Sequence, residues 1–193
     1  LEYDSSYTYG FSPRLVSKML AGEALGWFKG CLFTAVKDQG AFMIPCDAAL
    51  SVEPVPVSCS ATFDPKTAKF CEPVMKANSS QGFTASVADN LAMTSKPLRV
   101  YSQVKYGSVA RADADVFMKF PKAGYKEKIW DHAAGVIIVE EAGGKVTDAG
   151  GVPLNWAGGR YLDTLDRGII ATSNALHERL MDAVSQSWGS SEL

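Results

Sequence analysis

A layered α/β fold, mostly parallel, is what the sequence predicts, with a smaller α+β part ahead of it. Three observations predict it. Beyond about residue 66, short apolar runs of strand type alternate with stretches at helical spacing. Ahead of them, Gly30-Cys31-Leu32-Phe33-Thr34-Ala35-Val36 and Ala41-Phe42-Met43-Ile44-Pro45 flank the turn Lys37-Asp38-Gln39-Gly40, a hairpin pattern. Between the two parts, residues 58–66 are mostly small and polar, which places a boundary there: residues 1–60 form one part and 61–193 the other.

The elements follow in order. Tyr3, Tyr7, Tyr9 and Phe11 alternate as a strand or an extended loop would. Residues 15–25 read as a short amphipathic helix with Leu15, Met19 and Leu20 on one side, ended by Gly26. Residues 52–57 carry two prolines, so they form an edge or a linker rather than a central strand. Residues 69–74 give a short buried strand, and Ser79 or Ser80 N-caps a helix running to Leu91. Residues 98–101 and 116–118 are strands, with a short helix over 103–112 between them. Residues 130–142 form the most apolar helix, with Ala134, Ile137, Ile138 and Ala142 on one face. Two more strands, 145–147 and 168–171, precede a final helix over 175–188, capped by Asn174 and stopped by Gly189. Alternating strands and helices place binding sites at strand C-termini.

Composition bounds the function. The chain has 193 residues, 47% of them hydrophobic, enough for a sizeable core. A net charge of −2 argues against nucleic-acid binding. No apolar run approaches the roughly 18 residues that a membrane span needs. Cys31, Cys46, Cys59 and Cys71 form no Cys-x-x-Cys pair, and only His132 and His177 could assist them. They read as reduced thiols of an intracellular protein rather than a zinc site. Residue 1 is Leu, and no signal or transit segment follows it. The expectation is a chain that starts inside a longer protein.

Chemistry concentrates in three strings. The first is Trp130-Asp131-His132-Ala133-Ala134-Gly135, closed by Glu140-Glu141-Ala142-Gly143-Gly144. Asp131 at the front of a helix can hold a hard cation while the helix N-terminus faces a phosphate. Trp130 is expected to wall the carboxylate off, Gly135 to admit a close neighbour, and the Gly-Gly pair to stop the helix. Glu140 and Glu141 are assigned to a solvated face. The second string is Tyr101-Ser102-Gln103-Val104-Lys105-Tyr106-Gly107, where a strand passes into a helix. Ser102 and Lys105 could meet one anion there, although, taken alone, that string fits an ordinary cap and a solvated lysine better. The third is Lys119, at the end of Val116-Phe117-Met118, which can point into a cleft or simply into solvent.

Together, Ser-Gln-x-Lys-Tyr, Lys119, and Glu127-Lys128-Ile129-Trp130-Asp131-His132 resemble the 3′(2′),5′-bisphosphate nucleotidases of the inositol monophosphatase superfamily. The resemblance runs from about residue 28 onward and is closest to the plant enzymes specific for adenosine 3′,5′-bisphosphate (PAP). It implies the αβαβα sugar-phosphatase fold, with residues 1–60 as the tail of a metal-binding α+β domain and 61–193 as the nucleotide-binding domain. It implies Mg2+ as cofactor, lithium sensitivity, and release of the 3′-phosphate of PAP to give AMP, with PAPS as a further substrate. It assigns a metal ligand to Asp131 and nucleotide contacts to Ser102, Lys105, Lys119, Asn78 and Asp131. Lys119 stands where the better-known members carry Arg, and Asn78 where many members carry His. The plant branch includes organellar enzymes, so a mitochondrial or chloroplast address is implied for a full-length relative.

The family's Asp-Pro-x-Asp-Gly-Thr string is absent. Asp64-Pro65 is followed by Lys66-Thr67, without the second carboxylate. No catalytic residue of that first motif is identifiable, and two-metal hydrolysis needs several carboxylates. The expectation is a chain inactive alone and dependent on a missing N-terminal half. The alternatives are a non-catalytic nucleotide-binding or regulatory module and an inositol phosphate phosphatase.

Overall fold

The computed structural model describes residues 30–45, 53–165 and 167–189. The expected N-terminal strand or loop, the helix over 15–25 and Cys46 lie outside the described residues.

The hairpin forms as its sequence requires. Strands β1 (Cys31–Ala35) and β2 (Ala41–Pro45) pair antiparallel, with Phe33 opposite Met43. The turn places Asp38 and Gly40 at φ 62° and 84°, the left-handed region that Asp and Gly tolerate best. Strand β3 (Val55–Val57) adds to β2, with Pro56 opposite Phe42. It takes an edge position, as a proline without an N–H must.

The second sheet holds β4 (Phe70–Pro73), β5 (Leu98–Val100), β6 (Val116–Lys119), β7 (Gly144–Asp148) and β8 (Ile169–Ser173), in the order β5-β4-β6-β8-β7. The β4–β5 and β4–β6 ladders are parallel, whereas β6–β8 and β7–β8 are antiparallel. The sheet is therefore mixed but mostly parallel, as expected: β4, β5, β6 and β7 run one way, and β8 runs against them. The chain between β7 and β8 runs through turns, with no helix among its described residues. A parallel return usually runs through a crossover helix, and the described part of this connection supplies none.

Side chains of the central strands alternate between two apolar layers, following the period of two. Phe70, Val116, Met118 and Ile170 face α1 (Gln81–Asn90) and α4 (His177–Gly189), packing with Phe83, Val87, Leu180 and Val184. Cys71, Phe117, Ile169 and Ala171 face α2 (Val104–Ala110) and α3 (Ala133–Glu141), packing with Tyr106, Val109, Val136 and Val139. Fully burying one such side chain contributes about 2 kcal/mol. Ser80 caps α1 by accepting the Phe83 N–H, while the Ser79 hydroxyl accepts the Phe120 N–H.

The three-stranded sheet covers the outer side of the α2–α3 layer. Ala41 belongs to the same core, with Ala35, Val57 and Cys59 packed against it. Glu141 ties the layers together: its carboxylate accepts the N–H groups of Asp38 and Gly40, each at 2.9 Å. These contacts, with burial opposing them, hold its carboxyl below the ordinary range. The residue stands at the surface, but it braces the hairpin turn rather than lying idle on a solvated face.

The signature helix differs from its expected form. Ile129–Asp131 make a separate 3-10 turn, and His132, at φ −135° and ψ −36°, breaks the chain before α3 begins. Its buried face is Gly135, Val136, Val139 and Ala142, while Ala134 is exposed. The reason is Gly135. A Cβ there would lie 2.3 Å from the Tyr106 ring, so the bare glycine is what lets α2 approach. Gly143, at φ 83°, ends the helix as expected.

Candidate functional site

The parallel strands β5, β4 and β6 end at Val100, Pro73 and Lys119, and a cavity of about 160 Å³ opens at those ends. This is the place where α/β sheets gather ligands. Asn78, Ser102, Lys105, Lys119 and Asp131 all line it, with Gln103, Tyr106, Tyr125 and His132. Segments distant in sequence thus converge: the β4–α1 loop, the β5–α2 turn, the end of β6 and the turn before α3. A second cavity, about 360 Å³, is lined mainly by apolar residues such as Leu154, Leu162 and Leu165 and gathers no cation.

Ser102 lies where β5 turns into α2, with φ 45°, in the left-handed region that few non-glycine residues occupy. Its carbonyl points inward and accepts Lys105 Nζ at 2.7 Å. Lys105 is 7% exposed, and its ammonium lies 5.5 Å from the Phe117 ring centre. No carboxylate pairs with it among the described residues. Burial pushes its pKa down to about 8; Lys119 pushes the same way, and Cys71 and Glu127 oppose. Asn78 is half-buried in the β4–α1 loop, where its N–H donates to the Met75 carbonyl.

Lys119 reaches the cavity from the end of β6, but it does not stand alone. Its Nζ is 2.6 Å from Glu127, which is 2% exposed. The other Glu127 contact is His132 Nε2 at 2.8 Å, and His132 Nδ1 meets the Tyr106 hydroxyl at 2.7 Å. Burial favours the neutral form of Glu127, yet the His132 hydrogen bond and the Lys119 charge outweigh it, so the carboxyl sits below its ordinary range. Burial, then Glu127 and Cys71, push the Tyr106 hydroxyl far up, so it stays protonated. The Tyr106–His132–Glu127–Lys119 chain was not assigned by sequence reasoning. Glu127 and His132 fit no helical or strand period, and only the fold brings both to Lys119.

Asp131 sits on the 3-10 turn ahead of α3, not in the first turn of that helix, and it is exposed at the cavity edge. Gln103 fixes the turn by donating Nε2–H to the Asp131 carbonyl at 2.6 Å. Trp130 does not wall off the carboxylate. It is 55% exposed, with Lys128 and Arg160 beside its ring at 5.9 and 5.4 Å. Both cations lie within reach of the ring's negatively charged face.

The described residues do not by themselves fit a two-metal centre. Among them, no group of three or more His, Cys, Asp or Glu side chains is placed to hold a metal ion. Asp131 is the one carboxylate among the residues lining the cavity. Magnesium needs six oxygens in near-octahedral geometry, several of them from outside such a set. Among the described residues no helix is long and apolar enough to cross a membrane.

Comparisons with known proteins give the chain a family and a fold. The chain is 50% identical over 191 residues to the 3′,5′-bisphosphate nucleotidase AHL of Arabidopsis thaliana, covering 95% of this chain and 49% of that protein. It is 43% identical over 165 residues to a 3′(2′),5′-bisphosphate nucleotidase of Oryza sativa, covering 86% of this chain and 45% of that one. The chain thus spans about half the length of the curated relatives it matches. Among solved structures, the inositol monophosphatase from Anabaena (Nostoc) shares the fold, with a TM-score of 0.60 at 24% identity, over 83% of this chain and 57% of that one. The extragenic suppressor protein suhB from Bartonella henselae gives 0.58 at 25%, over 81% and 53%. The model of the inositol monophosphatase family matches residues 18–188, and the chain belongs to that family.

Proposed function

We propose that this chain carries the nucleotide-binding part of a 3′(2′),5′-bisphosphate nucleotidase, a phosphoric monoester hydrolase that removes the 3′-phosphate of PAP to give AMP and also accepts PAPS. One observation carries the reading: a buried ammonium, Lys105, faces a cavity at the strand C-termini with no carboxylate to neutralise it among the described residues. A buried charge without a partner is costly, and an incoming phosphate removes that cost. The half-length identity to the plant nucleotidases supports a nucleotide as the carrier of that phosphate.

In this reading Lys105 supplies the charge that meets a phosphate, Ser102 its hydroxyl and neighbouring backbone, and Lys119 further N–H donors. Asn78 contacts the rest of the nucleotide. Asp131 offers one oxygen ligand at the cavity edge. Because the described residues do not complete a magnesium centre, no hydrolytic step is assigned to them. Magnesium-dependent turnover would need further carboxylates, from residues outside those described or from a separate N-terminal half.

The lone carboxylate favours a second reading, in which the chain binds nucleotide without cleaving it. Phosphate release from PAP and calorimetry with PAP and AMP, each with and without magnesium, separate the two. Binding with no release supports the module. Turnover by the 193-residue chain contradicts its inactivity. Hydrolysis of inositol phosphates in preference to PAP, by a complete enzyme, overturns the nucleotide assignment.

A further inference from the structure

Two buried ammonium groups, Lys105 and Lys119, line the cavity; Asp131 is exposed at its edge, and the buried carboxylate behind the floor, Glu127, is committed to Lys119. Lys119 Nζ is 2.6 Å from Glu127, which is 2% exposed, so water does not compete for the pair. His132 Nε2, at 2.8 Å, fixes the carboxylate from the other side. His132 is fixed in turn by the Tyr106 hydroxyl at 2.7 Å, and the Tyr106 ring is wedged against Gly135. Glu127 therefore cannot swing toward Lys105. Among the described residues, Lys105 Nζ meets the Ser102 carbonyl, at 2.7 Å, and the Phe117 ring.

We propose that Glu127 is the specificity-determining residue of the cavity: by cancelling the Lys119 charge, it leaves one net positive charge on the floor, set for a single phosphoryl group. Lys105 is then the charge that meets the phosphate. Lys119 acts as a hydrogen-bond donor, since an ammonium has three N–H groups and Glu127 does not use them all. Glu127 touches no ligand in this account and acts through Lys119. The inference rests on the reading of this cavity as a phosphate site.

The test is a charge series read by calorimetry with inorganic phosphate at several salt concentrations, with circular dichroism to check folding. Glu127→Gln exposes a second uncancelled ammonium, so phosphate binds about tenfold more tightly, with a steeper salt dependence. Lys119→Met leaves Glu127 uncancelled beside Lys105, so phosphate binds about tenfold more weakly. The double variant, Lys119→Met with Glu127→Gln, restores one net positive charge and returns the affinity to within about threefold of the original, a non-additive result. Unchanged or weaker binding by a folded Glu127→Gln variant overturns the proposal. So does a double variant as weak as Lys119→Met alone, and that comparison decides the matter if Glu127→Gln does not fold. Titration with PAP separates the two readings. Phosphate binding that follows the charge series without PAP binding leaves this inference standing and removes the nucleotide. PAP binding with a flat series does the reverse, and no binding of either overturns both.

Discussion

The chain has two histidines, both buried, in two regions that differ in every other respect. His132 stands at the cavity between Glu127 and the Tyr106 hydroxyl, in a network that continues to Lys119. His177 lies at the antiparallel side of the same sheet, between the hydroxyls of Thr147, at 3.3 Å, and Thr172, at 3.1 Å. Its hydrogen-bond partners are neutral hydroxyls, and Thr147 passes the network on to the Asp148 carbonyl. Burial, with a smaller push from Lys145, lowers the His177 pKa to about 4, so it is a neutral core residue at physiological pH. Burial of a titratable group therefore does not mark a site in this protein. In the proposed reading unbalanced charge does: among the described residues Lys105, at the parallel end of the sheet, has no paired carboxylate, whereas His177 has neutral hydrogen-bonded partners.

The sharpest way to break the comparison is to spoil the packing behind the cavity. Gly135→Ala places a methyl 2.3 Å from the Tyr106 ring and 2.7 Å from Gln103 Oε1. Overpacking of this kind costs about 3 kcal/mol. Chemical denaturation should show that loss, and stability equal to the original would mean the α2–α3 contact yields easily. A smaller effect separates the regions by pH. The Lys105 pKa of about 8 means that the ammonium is lost as pH rises through 8, so phosphate affinity should fall above that point. Lys105→Arg, charged throughout, should flatten the profile. A wild-type affinity constant from pH 7 to 9.5 would contradict it.

The other region responds on the opposite side of neutrality. With a folded pKa of about 4 against an ordinary 6.5, His177 leaves the unfolded chain to take up the proton between those values. Its stabilising contribution is complete above pH 6.5 and is lost as pH falls toward 4. The Tm of the wild type should drop more steeply over that window than that of His177→Gln, and parallel slopes would contradict the account. Glu127, also held low, adds a loss of the same sign below the carboxylate range. The smallest effect belongs to Glu141, which touches neither region. Glu141→Ala should speed amide hydrogen exchange at Asp38 and Gly40 while leaving phosphate binding unchanged.

Much of the fold was legible because its signals are local. The Gly40 hairpin, the proline-bearing edge, the Ser80 cap and the strands 70–73 and 116–119 each follow from a few neighbouring residues. What was not legible depends on distant partners. The direction of β8 is set by a turn-rich connection, not by the apolar run itself. The face of α3 is set by Tyr106 reaching Gly135, so counting apolar residues favoured Ala134 and Ile137. At the site, the strings around Ser102, Lys105, Lys119 and Asp131 pointed to residues that share one cavity, as does Asn78. Glu127 stood in the quoted string without a role, because its ion pair with Lys119 spans a loop that no spacing rule describes.

The central claim is that the uncancelled Lys105 ammonium at the strand C-termini is a phosphate-binding charge. Calorimetry of PAP binding by the original chain and by Lys105→Met, at pH 7 and low salt, tests it most directly. Loss of a charge-assisted contact predicts affinity weakened by about 30-fold or more in the variant, with folding intact. Equal affinity for PAP in the two proteins would contradict the account.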